Sequence, residues 1–168
     1  TQGYSSAASD VYKRQSEYPL LREFLYQAIY QRDQEKSIPR TIIDDPNIAV
    51  YIQNFGKYQT DFCLCAQLGD KIVGAVWVRN IAGFAAIDDQ TPELAISLLP
   101  EYRGRGIGTA LMKSMIGKMN REDYAKISLA VQKDNYALNM YLQIGFEIVD
   151  ENEEEYIMVC QLNKNLHS

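Results

Sequence analysis

The chain has 168 residues, 46% of them hydrophobic and 23% charged, with a net charge of −5. That length supports one domain with a buried core. The acidic balance excludes nucleic acid as the main partner, because such binding needs a basic face, and no apolar run approaches a membrane span, so no membrane partner is expected.

Residues 1–15, "TQGYSSAASDVYKRQ", are small, polar and aperiodic and resemble translated adapter sequence. They read as a non-native leader, with the domain proper at residues 16–168. A first strand is then missing or replaced, which would leave a sheet edge unpaired or covered by foreign residues. From Glu17 the pattern becomes helical: Leu21, Phe24, Leu25, Ala28 and Ile29 share one face. Asp45-Pro46 predicts an N-cap and first helical residue. Ile48, Tyr51, Ile52 and Phe55 line that second helix, and Gly56 stops it.

Strands follow. "DFCLCAQL" and "KIVGAVWVRN" are β-rich runs joined at Gly69-Asp70, a hairpin signal. Gly83 to Pro92 is a loop holding Asp88 and Asp89, and "ELAISLL" is a third strand stopped by Pro100. Leu111, Met112, Met115, Ile116 and Met119 mark a helix, and "KISLAVQ" a further strand. Ala137, Met140, Tyr141 and Ile144 mark a last helix ended by Gly145, before a closing hairpin of "FEIVD" and "EEYIMVCQL". The acids from Asp150 to Glu155 fall in its turn, where a charge run is normally solvated surface.

The three cysteines, Cys63, Cys65 and Cys160, form no paired framework, which points to a reducing, cytoplasmic compartment. Cys63 and Cys65 share one strand face and read as packing. The one histidine, His167, lies next to the C-terminus. A His-based metal site or catalytic triad is excluded, and no metal is expected.

The informative stretch is "PEYRGRGIGTALM", Pro100 to Met112. A strand ends at Pro100, and a helix begins near Gly106 to Thr109. A helix N-terminus carries N–H groups outside its own ladder and about half a positive charge. Glycines let an anion reach those groups without a Cβ in the way. Arg103 and Arg105 add charge suited to phosphate. The spacing fits neither the P-loop nor the dinucleotide fingerprint.

"LLPEYRGRGIGTALM" resembles motif A of the GNAT superfamily of N-acetyltransferases, whose signature is Gln/Arg-x-x-Gly-x-Gly/Ala. Here that signature is Arg103-Gly104-Arg105-Gly106-Ile107-Gly108. "SLAVQKDNYALNMYLQIGF" resembles the family's motif B, with Asn135, Ala137, Tyr141 and Gly145-Phe146 at its marker positions. The resemblance runs from about Ser16 to Leu162 and includes the element order.

It implies a single-domain α/β (α+β) fold, a mixed twisted sheet flanked by helices. It implies acetyl-CoA as cosubstrate, seated between the "ELAISLL" and "KISLAVQ" strands. The pyrophosphate would rest on Arg103, Gly104, Arg105, Gly106, Ile107, Gly108 and Thr109. The pantetheine arm would pair with backbone at Leu98 and Leu99 like an added strand. Asn135 would contact the coenzyme, with Asp134 as the alternative from the opposite count. Tyr141 would give a proton to the departing thiolate.

The implied activity is direct acetyl transfer to a primary amine of a small molecule or protein. The alternative is a non-catalytic acyl-CoA-binding module. A backbone N–H near Leu98 or Leu99 would hold the oxyanion. Glu93, Asp88, Asp89 or a water chain could serve as base, although Glu93 sits one residue out of register, on the opposite strand face. Tyr26, Tyr30, Tyr51 and Phe55 could wall an amine site, and the acidic turn could attract a cation. The last strands of this fold often sit at a dimer contact, which leaves a homodimer open, although the sequence does not give the oligomeric state.

Overall fold

The computed structural model describes residues 8–10, 18–29 and 38–162. Tyr30, His167 and the stretch read as a leader, apart from Ala8–Asp10, lie outside the described residues. The elements are β1 Ala8–Asp10, α1 Tyr18–Ala28, α2 Pro46–Ala49, β2 Phe62–Leu68, β3 Lys71–Arg79 and β4 Glu93–Leu98. Then come α3 Ile107–Arg121, β5 Lys126–Gln132, α4 Leu138–Gln143, β6 Phe146–Glu151 and β7 Glu155–Gln161. The strands form one sheet in the order β1-β2-β3-β4-β5-β7-β6. Among the described strands only β4 and β5 run parallel, so the sheet is mixed.

Ala8–Asp10, inside the stretch read as leader, pairs antiparallel with β2 from Ala8↔Ala66 to Asp10↔Leu64. A short strand therefore occupies the place where a first strand was expected to be missing or replaced. Gly69, at φ 59, turns β2 into β3 as the hairpin signal predicts.

Alternation along the strands sends side chains to two cores. Leu64, Val76, Val78, Leu94, Leu129 and Val131 face α3 and α4. Leu111, Met112, Met115 and Met119 of α3 are buried against them, four of the five residues that the spacing selects, and Ile116 is half-buried. On the other face Cys63, Cys65, Ala75 and Trp77 meet Leu21, Phe24 and Leu25 of α1. Cys63 and Cys65 form no disulfide and are buried in that core, as their spacing suggests.

The second helix is shorter than its pattern. Asp45 caps it, accepting the Asn47 N–H at 2.9 Å, and Pro46 is its first residue, as expected. The α-helix nevertheless ends at Ala49 and continues as turns. The reason lies in β3. The Arg79 guanidinium donates to the Val50 carbonyl at 2.8 Å, and the Trp77 indole N–H donates to the Tyr51 carbonyl at 3.1 Å. Buried donors have taken the acceptors that the next helical turn would use.

Candidate active site

β4 and β5 share a single register pair, Glu93↔Ser128, sealed by the Ser128 N–H donating to the Pro92 carbonyl at 3.0 Å. Beyond it the two strands separate. The β3–β4 ladder fixes which β4 groups face the gap. The Leu99 N–H donates to Val73 at 2.9 Å, so the backbone groups of alternate residues Leu94, Ile96 and Leu98 point toward β5. The gap opens into a cleft of about 1260 Å³.

The glycine loop closes one end. Gly104 and Gly106 hold φ of 75° and 83°, a backbone region that favours glycine, and open space surrounds the Cβ position of each. The first bond of the α3 ladder here runs from the Ala110 N–H to the Gly106 carbonyl at 3.1 Å. The N–H groups of Ile107, Gly108 and Thr109 precede it at the positive end of a helix of 15 residues. Gly104, Gly106, Gly108 and Thr109 line the cleft. The Ile107 side chain does not: it is buried in the core beneath.

The two arginines differ. Arg103 lines the cleft and braces it, donating through Nε to the Leu98 carbonyl at 3.3 Å and through Nη2 to the Gln27 side chain of α1 at 3.1 Å. Arg105 lies over the Tyr102 ring at 5.2 Å. Leu98 lines the cleft, whereas the Leu99 N–H is already used by Val73. Of the two residues expected to present a backbone donor, Leu98 is the one whose N–H faces the gap.

Asn135 also lines the cleft. Its side-chain oxygen accepts the Ala137 N–H at 2.9 Å at the start of α4, which leaves the amide NH₂ outside that cap. Asp134 is exposed. Tyr141, on α4, is 7% exposed and lines the cleft from the α3–α4 side. No hydrogen bond reaches its hydroxyl from the described residues. Burial pushes the phenol well above its ordinary pKa, with Tyr136 adding to the shift.

Two of the three acids weighed as bases, Glu93 and Asp88, are engaged elsewhere, and none of the three lines the cleft. Glu93 is 1% exposed and accepts the Tyr51 hydroxyl at 2.7 Å and the Gly83 and Ala85 N–H groups at 2.6 and 3.0 Å. It ties the loop after β3 to the sheet. Asp88 accepts from Gln90 N–H and the Thr91 hydroxyl and pairs with Lys126 at 3.6 Å. Its carboxyl is held below the ordinary range, first by the Thr91 bond. Asp89 is exposed, and its carbonyl accepts from Asn80.

Different acids line the cleft, Glu153, Glu154 and Glu155, and of these Glu155 alone is half-buried and lies in a strand. Glu155 opens β7 opposite Gln132 of β5. Alternation puts it on the face of Ala130 and Gln132, away from Leu129, Val131 and Tyr141 and toward Tyr51. Burial pushes its carboxyl above the ordinary glutamate value, partly offset by an Asn152 hydrogen bond, and the Glu154 charge raises it further. Tyr51 and Phe84 line the cleft with it, stacked at 6.2 Å with 10° between their planes. Phe84 donates its N–H to the Tyr51 hydroxyl at 2.9 Å. The sequence reading named Tyr51 but not Phe84, and grouped Glu155 with the solvated turn. The available signal was its place as the last acid of that turn, two residues before Ile157 on the same strand face.

Comparisons with known proteins fit this geometry. The sequence model described as Acetyltransferase (GNAT) family matches residues 22–146. The chain is 28% identical over 128 residues to an N-alpha-acetyltransferase of Sulfurisphaera tokodaii, covering 67% of this chain and 75% of that protein. It is 29% identical over 93 residues to a ribosomal protein bS18-alanine N-acetyltransferase of Haemophilus influenzae, covering 52% of this chain and 64% of that one. It therefore spans less than two thirds of the latter relative. Among solved structures, a putative acetyltransferase of Acinetobacter baylyi aligns with TM-score 0.69 at 15% identity, covering 96% of this chain and 95% of that one. A putative acetyltransferase of Salmonella typhimurium, solved with acetyl-CoA, aligns with TM-score 0.63 at 16% identity, covering 96% and 97%. With a split sheet, a glycine-rich turn into α3 and a family match over most of its length, the chain is an acetyltransferase of the GNAT family.

Proposed function

We propose that the protein transfers the acetyl group of acetyl-CoA directly to a primary amine of a small molecule or a protein. The observation that carries this is the open edge of β4. Leu98 and Ile96 turn backbone groups into a gap that ends at the N-terminus of α3. An extended pantetheine arm pairs with that edge as a strand would, and the pyrophosphate rests on the glycine turn. The relatives act on amines by name, and the Salmonella structure holds acetyl-CoA in the same fold.

The Leu98 N–H faces the place where an oxyanion would form, and Tyr141 holds the proton that the thiolate needs. A thiol titrates near ~8.5 and a tyrosine near ~10, so transfer between free groups is uphill by about 2 kcal/mol. Burial raises the tyrosine further, but it disfavours the thiolate anion in the same cleft too, so the two penalties oppose each other.

The test is a calorimetric titration of acetyl-CoA followed by thiol release across a panel of primary amines. Saturable binding, weakened about tenfold by Arg103→Ala, with turnover of at least one amine, is expected. No binding by the folded protein overturns the reading. Binding without turnover of any amine would favour a coenzyme-binding module instead, a reading helped by the engagement of Glu93 and Asp88 in structural contacts.

A further inference from the structure

We propose that Glu155 is the acceptor-side base, and that with the Tyr51–Phe84 pair it forms a subsite for a primary ammonium on an apolar or aromatic stem. This rests on the acetyl-transfer reading and names the acceptor end of the same cleft. The split between β4 and β5 gives the cleft two sides. Tyr141 enters from the side of α3 and α4, and Glu155 and Tyr51 from the side of α1 and α2. A thioester held in the gap would have the proton donor for its sulfur on one side and a carboxylate on the other.

Two independent observations support a ligand here. Tyr141 is a buried hydroxyl that lines this cleft with no hydrogen-bond partner among the described residues. On the acceptor side, Phe84 is 52% exposed yet stacked on Tyr51, so an apolar face looks into the cleft that Glu155 also lines, and Tyr51 itself feels the Glu155 charge. An ammonium meets a ring face and a carboxylate there, and both attract it. Around Glu155, Glu153, Glu154 and Asn152 belong to its own turn, Gln132 lies across on β5, and the Tyr51 phenol feels its charge. Lys133, the residue that follows β5, is paired with Glu151. Burial and the Glu154 charge raise the Glu155 carboxyl, which suits a group that must take a proton from an amine.

The step balances. One ammonium N–H bond breaks, its proton goes to Glu155, and the electron pair stays on nitrogen. That pair forms the C–N bond at the thioester carbonyl. The C–S bond breaks with its electrons on sulfur, which takes the Tyr141 proton. The second amine proton returns to the phenolate, and Glu155 releases its own to water, for a net release of one proton.

The test uses phenethylammonium as the probe, titrated with and without coenzyme A. Coenzyme A is also titrated alone against each protein. The parent protein should bind the probe, and neutral 2-phenylethanol should bind more weakly. Glu155→Gln should lose about tenfold or more in probe affinity, while Glu147→Gln, on exposed β6, leaves it unchanged. The parent's probe affinity should fall as pH drops through the raised Glu155 value, and Glu155→Gln should lose that dependence. Coenzyme A affinity should be the same in all three proteins. Equal binding of probe and alcohol, or an unchanged affinity in Glu155→Gln, overturns the subsite. A protein that takes coenzyme A but not the probe overturns it as well, leaving acetyl transfer standing. One that takes the probe but not coenzyme A supports the subsite and sinks the acetyl-transfer reading.

Discussion

At Tyr141 the hydroxyl is buried, lacks a protein partner among the described residues and faces the cleft. A tyrosine that served packing alone would find a hydrogen bond or water. Tyr141→Phe removes one atom from a side chain already buried in the core between the helices and the sheet. It should lower kcat by about 10²–10⁴-fold and change acetyl-CoA affinity by no more than about twofold. Stopped-flow thiol release and calorimetry on the same sample check both halves.

Glu155 makes a stability prediction of the opposite kind. Its folded-state pKa is raised, so the native state binds the proton more tightly than the unfolded chain does. The stability this gives is full below the ordinary glutamate value and is lost as pH rises through the folded value. Glu155→Gln should therefore melt above the parent near pH ~8 and level with it near pH ~4, read by thermal unfolding at the two pH values. A residue kept at a cost to stability in the neutral range is what a working base looks like.

Among elements, the turn into α3 and the broken α2 carry the site. Gly106 sits at φ 83 with open space around it, so a methyl group would meet strain and no clash. Gly106→Ala should cost about 1–2 kcal/mol from backbone conformation alone and weaken acetyl-CoA binding. Chemical denaturation and calorimetry separate the two effects. The α2 break traces to Arg79, gripped through both Nε and Nη2 by Asp61 at 3.0 Å and buried with it. Asp61→Ala should destabilise by about 3–5 kcal/mol, because it strands a buried cation. It should also loosen Tyr51, whose carbonyl follows the Val50 carbonyl that Arg79 holds.

These elements show what could be read from the residues. The glycine turn, the α3 stripe and the β2–β3 hairpin depend on spacing within about fifteen residues, and they lie where the spacing predicts. The length of α2 does not. It is decided by Arg79 and Trp77, more than twenty-five residues away in sequence, and no local pattern reveals where a distant donor will land. Glu93 and Glu155 exchanged expectations for the same reason. Glu93 stands at a strand start near the family's site but is consumed by Tyr51 and loop amides. Glu155 looks like surface until the β5–β7 pairing turns it inward.

For the whole molecule, the sheet consists of two antiparallel halves that share the single pair Glu93↔Ser128. Coenzyme filling the gap should raise global stability by about 2.7 kcal/mol at a hundredfold excess over Kd, read as a concentration-dependent Tm. Amides of Ile96 and Leu98 should gain exchange protection well beyond that of the β2–β3 hairpin.

The same seam has a kinetic consequence. If the coenzyme arm completes the ladder, every turnover ends with a strand being peeled from an edge. Release of the product must break backbone hydrogen bonds that the chemistry never touches. Substitutions that tighten the β4 edge would then slow the cycle while leaving acetyl transfer itself intact, and the limit on turnover would pass from the reaction to the departure of its by-product.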